Sequence, residues 1–337
     1  MGSRTTGWAG RKGSTSSEIH PWALAPWVAA RRNPATTSPS PIPTARMAPD
    51  TTRAERSPRV GGAQYAAGVE TFASDLRRSL AALRVRQWAP FALLPLGAVA
   101  PGELPAGVAA AALGSAAGSL AFAYGLNARA DAPSDAPGAK NPLAGGEPPR
   151  TLAPVLALAV LGAAALTAPL GPQGQAALGV SLLGGWLYSG PARLKARPGF
   201  GLLGNHAIFL PLLYLGPGAT PGRPALTLAL LVLLTQNQLL HELADRAEDR
   251  RAGDRTTALW LGPDRVDAVV RGTGLLGAAL LGGLAAFGGW GPLPLALGLL
   301  AATVVGTLPR DPATLRRVHG RVALGAGALG YLGALVG

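Results

Sequence analysis

From Trp88 to its end, the chain alternates long apolar blocks with short polar breaks. The blocks are mostly Leu, Ala, Gly and Val, the pattern of a multi-span membrane protein. A window of roughly 20 residues, the length of helix that crosses a bilayer core, predicts nine spans. They lie near 87–103, 106–128, 151–170, 173–190, 202–217, 223–243, 271–289, 291–308 and 318–336. The first is short and broken by Pro90, Pro95 and Pro101, and the fifth is also short. The expected fold class is all-α: a polytopic membrane helix bundle of about nine transmembrane helices over residues 87–337.

The polar breaks give the orientation. Arg129, Lys140 and Arg150 lie between the second and third spans, and Arg193, Lys195 and Arg197 between the fourth and fifth. Arg246, Arg250, Arg251, Arg255 and Arg265 follow the sixth, and Arg310, Arg316 and Arg317 follow the eighth. The opposite breaks hold Arg223 as their one cation. The positive-inside rule places the N-terminus and the basic breaks in the cytoplasm. That is the topology expected of an integral protein of a bacterial inner membrane. Trp88, Trp186 and Trp290 fall near span ends, where interfacial aromatics belong.

Residues 1–70 read differently. They are rich in Ser, Thr, Pro, Arg and Gly and cannot bury enough apolar surface to fold alone, so a disordered basic tail is expected. The apolar stretch Pro21–Ala30 is too short to span. The chain has two Met, Met1 and Met47, and an alternative start at Met47 would make residues 1–46 an over-extended reading. Between tail and bundle, residues 71–86 carry an apolar stripe of Phe72, Leu76, Leu80 and Leu83 flanked by Arg77, Arg78, Arg84 and Arg86. This predicts an interfacial amphipathic helix, or a plain extension of the first span.

Composition narrows the function classes. Charged residues make up 14% of the chain and hydrophobic ones 48%, against about 25% charged in a soluble domain. A net charge of +13 would raise nucleic acid as a partner in a soluble protein, but here the cations sit in the tail and in alternate breaks, so the bilayer is the expected partner. The absence of Cys excludes disulfide and thiolate chemistry, and four His argue against a His-rich metal site.

Two of the basic breaks are also acidic. In the first, Asn127, Asp131 and Asp135 are spaced four apart; in the second, Asn237, His241, Asp245 and Asp249 follow the same grid. On a continuing helix that spacing lines them along one face. Carboxylates so placed repel each other by a few tenths of a kcal/mol, which a divalent cation would turn into coordination. Mg²⁺ takes one or two carboxylates plus substrate phosphates and waters. Two such sets with Lys and Arg nearby suit a Mg²⁺–diphosphate, while a lack of thiolates and clustered imidazoles argues against zinc. One motif alone would be an ordinary polar helix cap, with Glu242–Arg246 and Glu248–Arg251 as surface ion pairs; two on one side favour a site. Pro133 and Pro137 break the helix beyond Asp131, which puts Asp135 on a loop. A third stretch, Tyr188 to Gly201, offers Arg193, Lys195 and Arg197 as a phosphate-facing cluster, or as a positive-inside signal with snorkelling side chains.

Together the three stretches resemble the UbiA-type intramembrane prenyltransferases. The family's Asn-x3-Asp-x3-Asp motif matches Asn127, Asp131 and Asp135, and its Tyr-Ser…Pro…Lys segment matches Tyr188, Ser189, Pro191 and Lys195. Its second Asp motif and the run that follows match Asp245, Asp249, Gly253, Thr256 or Thr257, Leu261 and Gly262. Ala128 departs from a common Asn-Asp pair, and Lys140-Asn141-Pro142-Leu143 from a common Arg-Pro-Leu. The resemblance covers residues 75–337. It implies a Mg²⁺-dependent enzyme that transfers a prenyl group from a prenyl diphosphate to a lipophilic acceptor. That acceptor is an aromatic or quinone precursor, a carotenoid, a chlorin or a glycerol-phosphate lipid. By the same resemblance, Asn127, Asp131, Asp135, Asn237, Asp245 and Asp249 would hold Mg²⁺. Lys140, Lys195, Arg197 and Arg250 would neutralise the diphosphate, and Asp131, Asp245, Lys195 and Tyr188 would be catalytic. The alternative is a transporter or channel with acidic cytoplasmic loops. It would need polar groups near mid-span, where only His206 and Gln236 offer themselves.

Overall fold

The structure, a computed structural model, describes residues 60–98, 105–135, 141–216 and 223–287. These fall in one of the chain's two units, Ser57–Gly337. The expected tail up to residue 59, Met47, Lys140, Trp290 and the eighth and ninth spans lie outside the described residues.

All the regular structure in the described residues is helical, without strands. They form α1 (Val60–Ala82), a short α2 (Val85–Trp88), α3 (Ala106–Asp131), α4 (Leu152–Thr167), α5 (Gly171–Ser189), α6 (Phe200–Phe209), α7 (Arg223–Ala244), α8 (Arg246–Ala252), α9 (Thr257–Leu261) and α10 (Pro263–Phe287). Short 3₁₀ segments follow several of them. One, Ala89–Ala98, occupies the first predicted span and contains Pro95, which cannot donate to an α-helical ladder.

Helices α3 to α7 and α10 run up and down. Gly171, at φ 75, turns the chain between α4 and α5, and Pro172 opens the new helix. Early α3 then meets late α4 (Gly114 against Leu166), while Gly125 meets Leu156. Late α5 meets early α6 at Gly204 against Tyr188, and late α7 meets early α10 in the cluster of Leu239, Leu240, Val266 and Val270. The C-termini of α3, α5 and α7 therefore share one end of the bundle with the N-termini of α4, α6 and α10.

Close approach explains the Gly and Ala content. A Cβ at Gly118 would lie 2.7 Å from the Ala159 carbonyl, and one at Gly184 would lie 2.8 Å from the Ala207 backbone. Small residues let helices approach where no water drives them together. Hydroxyls add bonds in the same seams. Ser181 donates to the Ile208 carbonyl at 2.7 Å and accepts from Ser119 at 2.7 Å. Large side chains fill the central cluster, including Trp88, Leu120, Leu178, Phe209 and Leu212.

The outer face is apolar. Leu158 and Leu161 on α4, Leu203 on α6 and Leu275 on α10 are each 60% exposed or more. A soluble protein rarely presents such a face. Among the described residues, three stretches are long and apolar enough to cross a membrane: Ala106–Asp131, Leu152–Ser189, which includes the turn at Gly171, and Leu226–Ala244. Phe200–Tyr214 is a shorter apolar segment. The expected 71–86 helix is divided: the chain breaks at Arg84, φ 52, before α2, and residues 71–82 are the latter part of α1, which begins at Val60 inside the expected disordered tail. Its buried face is Ser79 and Ala82, with Ser79 paired to Thr151 at 2.8 Å, while Phe72 and Leu80 of the predicted stripe are exposed.

Candidate functional site at one end of the bundle

Helix α3 delivers Asn127 and Asp131 on successive turns and stops there, as Pro133 requires. Asp135 sits in the turn beyond, its N–H donating to the Asp131 carbonyl at 2.9 Å. Asn141 closes this helix end: its Nδ2 donates to the Ala128 carbonyl at 2.8 Å, and its Oδ1 accepts from the Leu143 N–H at 3.0 Å.

The loop after α5 reaches across to α3. Lys195 forms a close ion pair with Asp131, and its Nζ donates to Asn127 Oδ1 at 2.8 Å. Ser189 donates to the same oxygen at 2.9 Å. Burial pushes the Lys195 ammonium below its ordinary range, and the Asp131 carboxylate works against that shift. Arg193 adopts φ 43, an uncommon conformation for a residue with a Cβ. From there its guanidinium lies 3.7 Å from Asp131 and 3.1 Å from Asp254.

Asp254 belongs to the second acidic stretch. Helix α7 carries Asn237 and His241, ends at Ala244, and is followed by a junction at Asp245 before α8 resumes with Asp249 and Arg250. His241 Nδ1 lies 2.9 Å from the Asp245 carboxylate. The four-residue backbone pattern survives the junction, since Asp249 N–H donates to the Asp245 carbonyl at 2.9 Å. Gly253, at φ 77, caps α8 and turns the chain toward Asp254. Burial pushes the Asp249 carboxyl up to about 7, and the Asp245, Asp254 and Glu242 carboxylates add to that shift.

The two acidic stretches are thus joined through the loop after α5. Besides the Arg193 bridge, Arg255 N–H donates to the Ala196 carbonyl at 3.0 Å, and Gly199 N–H to the Thr257 hydroxyl at 3.1 Å. Of the residues expected here, Asn127, Asp131 and Lys195 are in direct contact, with Tyr188 within electrostatic reach of Asp131. Asp245 and Asp249 are neighbours across the α7–α8 junction, and Asn237 is half-buried two turns back on α7. Arg197 and Arg250 are exposed at the rim.

Four participants were not singled out from the sequence: Asp254, Asn141, Gln238 and Glu242. Glu242 is not a surface partner of Arg246. It is 4% exposed, and its carboxylate accepts from the Ala258 N–H at 2.9 Å and from Gln238 at 3.1 Å. The signal available was its four-residue spacing from Gln238 on α7. His206 and Gln236, the mid-span polar residues, are engaged in helix packing, with Thr235 at 3.0 Å and the Val270 carbonyl at 3.2 Å respectively.

No group of three or more His, Cys, Asp or Glu converges to hold a metal among the described residues. Mg²⁺ does not require one, because substrate phosphates and waters complete its shell. The oxygen donors of Asn127, Asp131, Asp245 and Asp249 are of the hard type it prefers. Burial is the main cause of the raised Asp249 carboxyl, and the Asp245, Asp254 and Glu242 carboxylates that add to it are a charge excess that a cation would relieve. The donor set therefore fits Mg²⁺.

The family model described as the UbiA prenyltransferase family matches residues 88–310, well over half of the chain. The chain belongs to that family. The UbiA fold recurs among solved structures. A UbiA homologue from Archaeoglobus fulgidus bound to GPP and Mg²⁺ superposes with a TM-score of 0.63 at 20% identity, over 77% of this chain and 100% of the homologue. The DMAPP- and Mg²⁺-bound form of an A. fulgidus homologue gives 0.62 at 19% identity, over 77% and 99%. A digeranylgeranylglyceryl phosphate synthase gives 0.54 at 13% identity, over 78% and 99%. At these identities the likeness is one of fold. A comparison with curated proteins gave no match.

Proposed function

We propose that the protein is an integral membrane prenyltransferase that moves a prenyl group from a prenyl diphosphate to a lipophilic acceptor. The observation that carries this reading is the meeting of Asn127, Asp131, Lys195, Arg193 and Asp254 at one end of an apolar bundle. A donor with a greasy tail and a charged head needs such a junction. Ionisable groups at a bundle's mouth are functional candidates by default.

The prenyl tail lies among the apolar helices and the diphosphate at the charged mouth. As the bond between the prenyl carbon and the diphosphate oxygen breaks, its electron pair leaves with the diphosphate. The acceptor then supplies the electron pair of the new bond. Lys195, with Arg197 and Arg250 nearer the rim and Lys140 by its place in the sequence, offsets the charge growing on the leaving group. Apolar helix walls keep water from the electron-poor allylic carbon. Asn127, Asp131, Asp135, Asn237, Asp245 and Asp249 supply the ligands from which Mg²⁺ would be held. A metal held there would supply Lewis-acid polarisation of the diphosphate.

The full topology in this reading has nine spans. The N-terminus and the acidic loops are cytoplasmic, α1 lies along the interface, and the membrane is a bacterial inner membrane. The involvement of His206 and Gln236 in helix packing disfavours a transporter, which would keep such groups for a substrate path. The test is transfer from radiolabelled prenyl diphosphates of graded length to lipid extracts. Wild type should label an extractable product. Asp131→Ala and Asp245→Ala should lose that labelling while keeping their expression and thermal profile in detergent. Labelling unchanged in both variants would remove the acidic motifs from the chemistry.

A further inference from the structure

The mouth of the bundle contains a second polar network, on its α5–α6–α7 side. Glu242 and Gln238 are 4% and 6% exposed, one turn apart on α7. The Gln238 amide nitrogen donates both to Glu242 Oε1, at 3.1 Å, and to Tyr188 Oη, at 3.2 Å. On the amide's other side, Asn205 Nδ2 donates to Gln238 Oε1 at 2.9 Å. Glu242 Oε2 is held in turn by the Ala258 N–H at 2.9 Å.

These bonds leave the central amide one orientation. A carboxylate only accepts, so Gln238 must face Glu242 with its nitrogen, which leaves its oxygen on the far side. The Glu242 carboxylate, held as an acceptor by the Ala258 N–H, selects that flip, and the Asn205 contact is compatible with it. Tyr188 therefore meets a donor, not an acceptor, on its α7 side. A phenolic O–H lies in the ring plane, with its hydrogen and an acceptor position on opposite sides of the oxygen. Once Gln238 occupies the acceptor position, the Tyr188 hydrogen is turned away from α7. Tyr188 also lies within electrostatic reach of Asp131 and Tyr124, both on α3.

Resting on the prenyltransferase reading, we infer that Glu242, Gln238 and Asn205 are positioning residues that fix the Tyr188 hydroxyl as a hydrogen-bond donor to the departing diphosphate. The proton stays on the tyrosine. The hydroxyl supplies a hydrogen bond to an oxygen whose charge grows as the carbon–oxygen bond breaks, so its contribution is largest in the transition state. Glu242 acts at a distance: its charge determines which end of Gln238 faces the tyrosine.

The test is a pair of double-mutant cycles on the full chain in detergent. In the first, Gln238→Leu and Tyr188→Phe are each expected to lower kcat about tenfold, with donor KM changed less than twofold. Because both remove the same hydrogen bond, the double variant should be no slower than the slower single. Multiplicative losses, or full kcat in Gln238→Leu, would overturn the inference. The second cycle exchanges the pair as Glu242→Gln with Gln238→Glu. The exchange keeps a donor and an acceptor between the two positions but turns an acceptor toward Tyr188. Thermal stability should return close to wild type while kcat stays low. Recovery of both would reduce the network to a structural clamp. Unfolding of the Gln238→Leu/Tyr188→Phe cycle is read alongside turnover and needs no activity. Non-additive melting shifts with no prenyl transfer by wild type would sink the prenyltransferase reading and, with it, the positioning role while leaving the contact intact. Transfer by wild type with additive shifts would sink the positioning role alone.

Discussion

Converting Asp131 to Asn removes a charge from a site that has two cations pointed at it. Lys195 and Asp131 retain only 12% and 17% side-chain exposure, and Arg193 lies 3.7 Å from the same carboxylate. At an effective dielectric of about 20, a pair at that distance gains about 4–5 kcal/mol of gross attraction, most of it offset by desolvation. Removing one member of a fully buried pair costs about 3–5 kcal/mol, because the survivor stays buried and uncompensated. The residual exposure here lowers the expected loss to about 2–3 kcal/mol. Adding Lys195→Met should return most of that stability, since no uncompensated charge remains, although neither variant should transfer prenyl groups. The pH dependence has a definite sign. Burial already pushes Lys195 down, and without Asp131 it falls further. The penalty is full while Lys195 is protonated and relaxes as pH rises toward the ordinary lysine range, about 10.4. Thermal melts in detergent at neutral and alkaline pH, for wild type, Asp131→Asn and the double variant, give the three comparisons. If Asp131→Asn melts with wild type, or the double variant melts below the single, the ion pair is not what holds the loop after α5 to α3.

Other outcomes follow from the same geometry. The Asp249 carboxyl, pushed up to about 7, must lose its proton before it can hold a cation. Mg²⁺-dependent donor binding should therefore strengthen as pH rises through about 7 and weaken below it, and Asp249→Asn should flatten that profile. Asp254→Ala frees Arg193 from its 3.1 Å partner. It should loosen the 190–199 loop and weaken donor binding several-fold by isothermal titration, with the melting temperature changed little. Gly184→Val places a Cβ 2.8 Å from the Ala207 backbone, so it should cost about 1–3 kcal/mol in detergent melts by forcing α5 and α6 apart.

The helices were the most legible part of the sequence, because a membrane writes its constraint locally. Each span from the second to the seventh falls on a described helix or apolar segment, and Pro133 marks the end of α3 within two residues. The acidic grids were legible too, as a period, but the period did not show the junction at Asp245 that separates α7 from α8. Less legible were contacts made across the fold. Asp254 lies off the four-residue grid and meets Arg193 across 61 positions of sequence. Glu242 looked like half of a surface ion pair because charged residues crowd Arg246–Arg251. Its burial depends on the return of the chain at Ala258, which leaves no local mark. Tertiary packing decided which of these charges became buried bonds and which stayed at the rim.

The most direct test of the central claim is equilibrium binding of a prenyl diphosphate to the purified protein in detergent, with and without Mg²⁺, for wild type, Asp131→Ala and Asp245→Ala. The account predicts metal-dependent binding by wild type and its loss in both variants. A folded wild-type protein that bound no prenyl diphosphate of any chain length, with or without the metal, would contradict it.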